Sequence, residues 1–272
     1  MTLSIVILNY KSEGLVRYCL TNILKAGLQI DYEIIVVDNA SPHNGVQKLK
    51  TEFSDVRFIE LNKNKGFSAG NNAGIKEAKG KYIIIMNPDI VVSPGSLEDL
   101  IKFMDNNPDV GCAGPKLMNP DGSVQSSCLR FPSRIMPFYR RSPLGKTKRG
   151  QHYLKNYLML DFDHKSNIDV DWLFGACLIV RRSILDDVGL MDEGYFLYIG
   201  DTDWCRMFWE KGYRVHYVAD SQMIHYHHRE SATNPGITGV FNYVTRIHIK
   251  DFVHYMKKFK RKSLPTKTKN EE

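Results

Sequence analysis

Three aspartates stand where a carboxylate could act on a bound ligand. Asp89 follows the apolar run 82–86 and the pair Asn87-Pro88, so an acid sits where a buried-looking strand gives way to a solvent-facing loop. Open α/β sheets bind ligands beyond the carboxyl ends of their strands, and a hard divalent cation takes oxygen ligands. Asp89 is therefore a candidate metal ligand, although Asn-Pro-Asp is equally ordinary turn chemistry. Asp38 repeats the arrangement after the strand-like run 34–37. An acid there can accept from a base N–H or a ribose hydroxyl, or merely cap a turn with Asn39 and Ser41. Asp201 opens Asp201-Thr202-Asp203-Trp204, a helix start whose free N–H groups and positive dipole end favour an ionised carboxylate. Aimed into a cleft, that group serves as a general base; otherwise it is a helix cap. His225, behind the apolar Met223-Ile224, is the candidate imidazole ligand, while His227 and His228 read as a surface cluster.

Alternating strand and helix patterns must position these residues. Residues 3–8, 33–37, 56–61 and 82–86 read as strands, with 12–26 and 67–79 as helices, which argues for a largely parallel sheet with helices on its faces. Ser93-Pro94 is a suitable cap and first-turn pair for a helix to Asn106. Asp121-Gly122 marks a hairpin turn, and Gly212 closes a helix over 201–211. Structure resumes at 170–180, a short helix follows from Ser183, and 213–218 is a short strand. Gly66, Gly70 and Gly74 recur every fourth residue, a bare helical stripe that admits either a packed sheet or a ligand. The stretch 131–155 has poor periodicity and aromatics among its charges, and reads as a loop or mobile insertion. Residues 240–258 form an amphipathic pattern ahead of a basic tail.

At 272 residues and 43% hydrophobic content the chain suits one large α/β domain, with or without an appendage. It shows no signal-peptide pattern and no apolar window long enough to cross a bilayer. Five cysteines, odd in number and without a CxxC pair, read as reduced core thiols of a cytoplasmic protein. The net charge of +7 is unevenly placed: residues 129–158 carry eight Lys/Arg and no acid, and 237–272 carry nine against three, leaving the remainder at −7. Two basic segments on an acidic body suggest an anionic partner docking at particular places. A nucleic-acid-binding protein is the non-enzymatic alternative, opposed by that acidic remainder and by the strand-end acids. A nucleotidyltransferase would carry a Gly-rich, basic loop after the first strand, where this chain has Asn9-Tyr10-Lys11-Ser12-Glu13-Gly14.

Six motifs in order, Ile5-Val6-Ile7-Leu8-Asn9-Tyr10, Val36-Val37-Asp38-Asn39-Ala40-Ser41, the Asn64 to Gly74 glycine motif, Asn87-Pro88-Asp89, Phe174-Gly175-Ala176 and the stretch 196–203, resemble the family 2 inverting glycosyltransferases. The similarity is to the bacterial rhamnosyltransferase-type branch and runs from residue 3 to about 231. It implies a GT-A fold, that is, an α/β domain over 1–231 whose Rossmann-like, largely parallel central sheet is flanked by helices. The basic insertion 129–158 would lie within it, and 232–272 would supply a C-terminal amphipathic helix and basic tail. The resemblance further implies nucleotide-sugar contacts from Asn9, Asp38, Asn39, Lys65, Gly66, Asn71, Asn87 and Asp89. Acceptor contacts would come from Trp172, Gly175, Ala176 and Asp203. Asp201 would be the catalytic base, and Asp89 with His225 would hold Mg2+ or Mn2+ against the donor diphosphate.

The expected reaction is inverting transfer of L-rhamnose from dTDP-rhamnose, or of a sugar from a UDP-linked donor, onto a polyprenyl-diphosphate-linked saccharide during O-antigen or cell-wall synthesis. The expected location is peripheral, on the cytoplasmic face of the inner membrane, with the basic segments on its anionic surface and no nucleic-acid partner. One position departs from the pattern. Gly200 stands where the family usually has Glu, which removes an expected contact to the acceptor hydroxyl and leaves an inactive relative of the same fold as an alternative.

Overall fold

The centre of the sheet is set by two runs buried on both faces: Ile5, Val6 and Ile7 of β1 (Leu3–Asn9) and Ile83, Ile84 and Ile85 of β4 (Tyr82–Met86). The computed structural model describes residues 1–42, 45–226 and 242–265. β1 pairs in parallel with β4 and with β2 (Tyr32–Asp38), and β2 pairs in parallel with β3 (Arg57–Glu60). The intervening helices are α1 (Glu13–Ala26), α2 (Gly45–Glu52) and α3 (Gly66–Glu77). Helical spacing turns Val16, Cys19, Leu20 and Ile23 of α1 into the core, and Gly27, in the left-handed region, ends that helix.

The second half is mixed. After β5 (Ile90–Val92) come α4 (Ser96–Asn106), β6 (Val110–Met118), β7 (Cys128–Leu129), α5 (Met136–Arg141), α6 (Lys148–Tyr157), β8 (Ile168–Asp169) and β9 (Trp172–Leu173). Then follow β10 (Cys177–Arg181), α7 (Leu185–Val188), α8 (Gly200–Glu210), β11 (Arg214–His225) and α9 (Tyr243–Lys258). The sheet order is β3-β2-β1-β4-β10-β6-β11-β5, with β8 on β11 and β7-β9 as a separate ribbon. β10 runs antiparallel to β4, with Cys177 opposite Met86. That reversal brings the segment just before β10 to the carboxyl end of β4.

Several expectations change in the structure. The stretch read as a loop folds into α5, a 3-10 turn over Pro143–Lys146 and α6, with local side-chain caps on the last two: Ser142 accepts from Leu144 N to start the turn, and Thr147 accepts from Gly150 N to start α6. Helices of 6 and 10 residues leave little periodicity to detect, yet Phe131, Met136 and Tyr157 are buried. α4 starts at Ser96, after a left-handed Gly95, rather than at Ser93-Pro94. Gly70 and Gly74 of the glycine stripe serve helix-on-sheet packing: a Cβ at Gly70 would lie 2.5 Å from Leu8 Cδ1, and one at Gly74 3.0 Å from Val37 Cγ2. His227, His228, the expected boundary at 231, positions 240 and 241 of the amphipathic helix, and the tail beyond 265 lie outside the described residues. Among the described residues no helix is long and apolar enough to cross a membrane. All five cysteines are free and buried.

Candidate active site

Strand register gathers the candidate residues along one edge of the sheet. Asn9 lies opposite Asp38, Ile7 opposite Met86, and Met86 opposite Cys177. The carboxyl ends of β1, β2 and β4 therefore meet the entry to β10. Asn87 N donates to Ala176 O at 2.8 Å, and Gly175 N donates to Asp201 Oδ2 at 2.8 Å. A short chain of backbone contacts thus joins the Asp89 turn to Asp201, although 112 positions separate the two residues in sequence.

At the β1–β2 corner, Asp38 is fixed by its neighbours. Its Oδ1 accepts from Asn9 Nδ2 at 2.7 Å and its Oδ2 from Ser41 N at 3.0 Å. Asn9 is fully buried and also accepts from Ser12 N and Oγ, so its amide is held in the orientation that donates to Asp38. Asn39 ties this corner to α3 by donating to Gly66 O and Asn64 Oδ1 and accepting from Lys65 N. Asn71 is buried and donates to Phe67 O within α3. Gly66 has φ +85°, and a Cβ there would collide with the carbonyl oxygen of Phe196, so only glycine permits this approach. The exposed Lys65 side chain faces a cleft of about 480 Å³ between β3 and α3 that includes Arg57 and Lys76 but none of the three aspartates.

Asp201 sits in the first turn of α8 and stays partly exposed. Burial of its carboxyl raises its pKa above the ordinary value, against the pull of hydrogen bonds from Gly175 N and Thr202 N. Each oxygen retains a lone pair beyond those bonds, so a raised proton affinity coexists with room to accept one more donor. Gly200, where an acid was expected, packs onto α3: a Cβ would strike Ser68 Oγ, a buried hydroxyl with no hydrogen-bond partner.

The Asp89 turn faces β11. Asp89 Oδ1 is buried, accepts no hydrogen bond, and lies 3.4 Å from His225 Nε2. His225 Nδ1 is 2.8 Å from Gln125 Oε1, while Gln125 Nε2 donates to His225 O and Asn119 Oδ1. The Gln125 contact holds the ring by its Nδ1 side and leaves Nε2 on the side of Asp89. An acceptor-only oxygen beside a basic imidazole nitrogen, with the other ring nitrogen held from behind, is a donor set that fits a divalent cation. Among the described residues no third His, Cys, Asp or Glu joins them, so a bound cation would complete its shell with water or ligand oxygens.

The four residues expected to touch the acceptor have the following surroundings. Trp172, Gly175, Ala176 and Asp203 are all buried. Trp172 Nε1 donates to Arg130 O at 2.8 Å. Gly175 and Ala176 use their backbone on Asp201 and Asn87, forming the floor of the site. Asp203 accepts from Tyr195 OH at 2.9 Å and from Lys258 Nζ at 2.8 Å. Residues two apart on a helix point about 200° away from each other, so Asp201 and Asp203 serve opposite sides of α8. Gln125, which holds His225, and Asp251, a buried acid on α9, are the residues at and around this region that no motif marks. Gln125 had no motif around it, and the acid at 251 interrupts an otherwise apolar-basic helix, which was the available signal.

Comparison with known proteins gives the family and the fold. The family described as Glycosyl transferase family 2 matches residues 4–189. The N-acetylglucosaminyl-diphospho-decaprenol L-rhamnosyltransferase of Mycobacterium tuberculosis H37Rv is 28% identical over 221 residues, covering 74% of this chain and 69% of that protein. The rhamnosyltransferase WbbL of Escherichia coli K12 is 26% identical over 261 residues, covering 93% and 91%. The crystal structure of GalNAc-T7 with UDP, GalNAc and Mn2+ superposes with a TM-score of 0.67 at 16% identity, over 95% of this chain and 48% of that one. This likeness fixes the fold as the GT-A arrangement.

Proposed function

Because the chain belongs to glycosyl transferase family 2, and so is a glycosyltransferase, we propose that it transfers L-rhamnose, with inversion, from a nucleotide-linked donor to a lipid-diphosphate-linked saccharide in bacterial surface polysaccharide synthesis. The observation that carries this reading is the convergence of Asp38, the Asp89–His225 pair and Asp201 on one sheet edge. The names of the two relatives support rhamnose and the diphosphate-linked acceptor. A UDP-linked donor is the second reading, favoured by the UDP held in the GalNAc-T7 structure.

In this proposal Asp38, steadied by Asn9 and Ser41, receives the base or ribose of the donor. A divalent cation, Mg2+ or Mn2+, held by Asp89 and His225 would offset charge on the departing diphosphate. Asp201 takes the proton from the acceptor hydroxyl as its oxygen attacks the anomeric carbon and the nucleoside diphosphate leaves. One base and one displacement invert the configuration. The floor formed by Gly175 and Ala176 holds the base against the donor turn, so both substrates meet in a single geometry.

The basic segments provide a docking face in the same proposal. Tyr243, Ile249 and Val253 are exposed on α9 among Arg246, Lys250 and Lys257. Ile135, Phe138 and Leu144 are exposed around α5 among Arg134, Arg140 and Lys146. Arg141 Nη2 lies 3.4 Å from His248 Nδ1 and joins the two into one surface. Mixed apolar and basic side chains suit the headgroup layer of an anionic membrane. Two experiments test the proposal. Donor sugars are screened against a synthetic polyprenyl-diphosphate GlcNAc acceptor with a mass readout, and absence of rhamnosyl product with dTDP-rhamnose refutes the donor. Sedimentation with anionic liposomes tests the surface, and salt-insensitive or absent binding removes it.

A further inference from the structure

We infer that Asp251, on the C-terminal helix, is a positioning residue for the catalytic carboxylate; the inference rests on reading Asp201 as the base. Asp251 is 0% exposed in the middle of α9, a site where an unpaired acid would be strongly disfavoured. Its oxygens accept from three consecutive backbone amides of the segment entering α8. Phe196 N reaches Oδ1 at 3.3 Å, and Leu197 N and Tyr198 N reach Oδ2 at 3.0 and 2.9 Å. Three consecutive amides on one carboxylate clamp a stretch of backbone that belongs to no strand or helix.

That stretch leads directly to the base. Phe196 O accepts from Phe67 N at 2.6 Å, which binds the strap to the start of α3. Ile199 then takes φ +66°, an unfavourable conformation for a β-branched residue, and Asp201 follows two residues later. A left-handed isoleucine persists only where its surroundings over-determine it. Here they do, because Asp251 fixes the amides upstream and Tyr255 and Phe259 of the same helical segment pack with Ile199 and Tyr195. The family match ends at residue 189, so this clamp comes from sequence beyond the matched region. The C-terminal helix therefore sets the direction in which the Asp201 carboxylate points.

The test compares Asp251→Asn, Asp251→Ala and Asp201→Asn in the full chain, with kcat, donor KM, donor affinity by calorimetry and the unfolding midpoint as readouts. Asp251→Asn keeps the size of the side chain and one carbonyl acceptor. It is expected to lower kcat about tenfold at unchanged donor KM and affinity, with Asp251→Ala losing on the order of 100-fold, since small misplacement of a reacting group carries penalties of that scale. A folded Asp251→Asn with wild-type kcat overturns the inference, as does a parallel fall in donor affinity, which marks a merely structural role. Amide exchange on the unaltered chain needs no variant. Phe196, Leu197 and Tyr198 are expected to exchange as slowly as the interior of α8, and rapid exchange rejects the clamp. If Asp201→Asn retains turnover, the base reading itself fails and this inference falls with it. Loss in Asp201→Asn alone, with Asp251→Asn unaffected, rejects the positioning role only.

Discussion

Replacing Gly66 by alanine should damage the protein far more than the same change at Gly122, although both glycines have a positive φ of nearly the same size. Their φ values are +85° and +82°, so an added methyl meets the same left-handed strain, about 1–2 kcal/mol, at both. The gain from a less flexible unfolded chain is also common to both and cancels in the comparison. Around Gly122 nothing lies within 4 Å of the new Cβ, whereas at Gly66 that atom would run into the carbonyl oxygen of Phe196 and sit 2.9 Å from its carbon. Backbone is the obstacle, so no side chain can swing aside. Overpacking of this kind costs about 1–3 kcal/mol, and separating the Phe67 N to Phe196 O hydrogen bond adds about 1 kcal/mol.

The two last effects belong to one displacement, so Gly66→Ala should lose about 3–5 kcal/mol in all and exceed Gly122→Ala by about 2–3 kcal/mol. Against a typical total of about 5–15 kcal/mol this leaves a folded but weakened protein. Urea unfolding of both variants measures the difference, and turnover of Gly66→Ala under fully folding conditions measures its reach into the site. Pushing Phe196 outward moves the strap that ends at Asp201, so kcat should fall as well. Equal destabilisation of the two variants, within about 0.5 kcal/mol, would show that the Gly66 contact does not constrain the chain and would refute the reasoning.

Burial raises the pKa of Asp201, so turnover should rise with pH as that carboxylate loses its proton, on a limb above the range of an ordinary aspartate. A kcat profile that is flat through the acid range, or turnover surviving in Asp201→Asn, contradicts its role as base. Gln125→Ala removes the group that orients His225 and should weaken Mn2+ binding about 10–100-fold by calorimetry; Asp89→Ala should weaken cation-dependent donor binding at least as much. Lys258→Met leaves the fully buried Asp203 without its cation and should destabilise by about 3 kcal/mol. Protonation relieves that buried charge, so the deficit should be larger at pH 8 than at pH 5, and a pH-independent deficit would falsify the pairing. Gly200→Ala presses a methyl onto Ser68 Oγ and should lose about 1 kcal/mol, with Ser68→Ala restoring it; additive losses in a double-mutant cycle count against the contact.

The parts of this molecule that were legible in its sequence are those with local signals. A run such as 82–86 followed by Asn87-Pro88-Asp89 contains its own strand, its own terminator and its own acid, so strand, edge and candidate ligand follow together. The same holds for Asp38 after β2. Asp203 stands beside Asp201 in the sequence motif, while helix geometry turns it to the far side of α8, where Lys258 and Tyr195 bind it. The insertion hides its helices because they are short and start from local signals, Ser142 for the turn at 143–146 and Thr147 for α6, rather than from a long apolar stripe. Gln125 could be recognised only through its partner, since His225 lies 100 residues away. Long-range pairing leaves no periodicity in either segment, and only the fold reveals it.

The Gly200 departure is best understood through this same distinction. A glutamate in its place would bring a second carboxylate next to Asp201, and a like charge there would disfavour ionisation. In this chain burial is the principal cause of the raised pKa of Asp201, and no neighbouring acid contributes among the causes. The backbone amides of Gly175 and Thr202 oppose that rise. The proton affinity of Asp201 therefore follows how deeply the segment 196–199 seats α8 against α3, which Gly200 allows by bringing the helix start onto Ser68. Substitutions that loosen this seating, whether at Gly66, Asp251 or Ser68, should all let water in and move the acid limb of turnover towards the ordinary aspartate range. A polar change on the far, exposed end of α8 should leave that limb where it is.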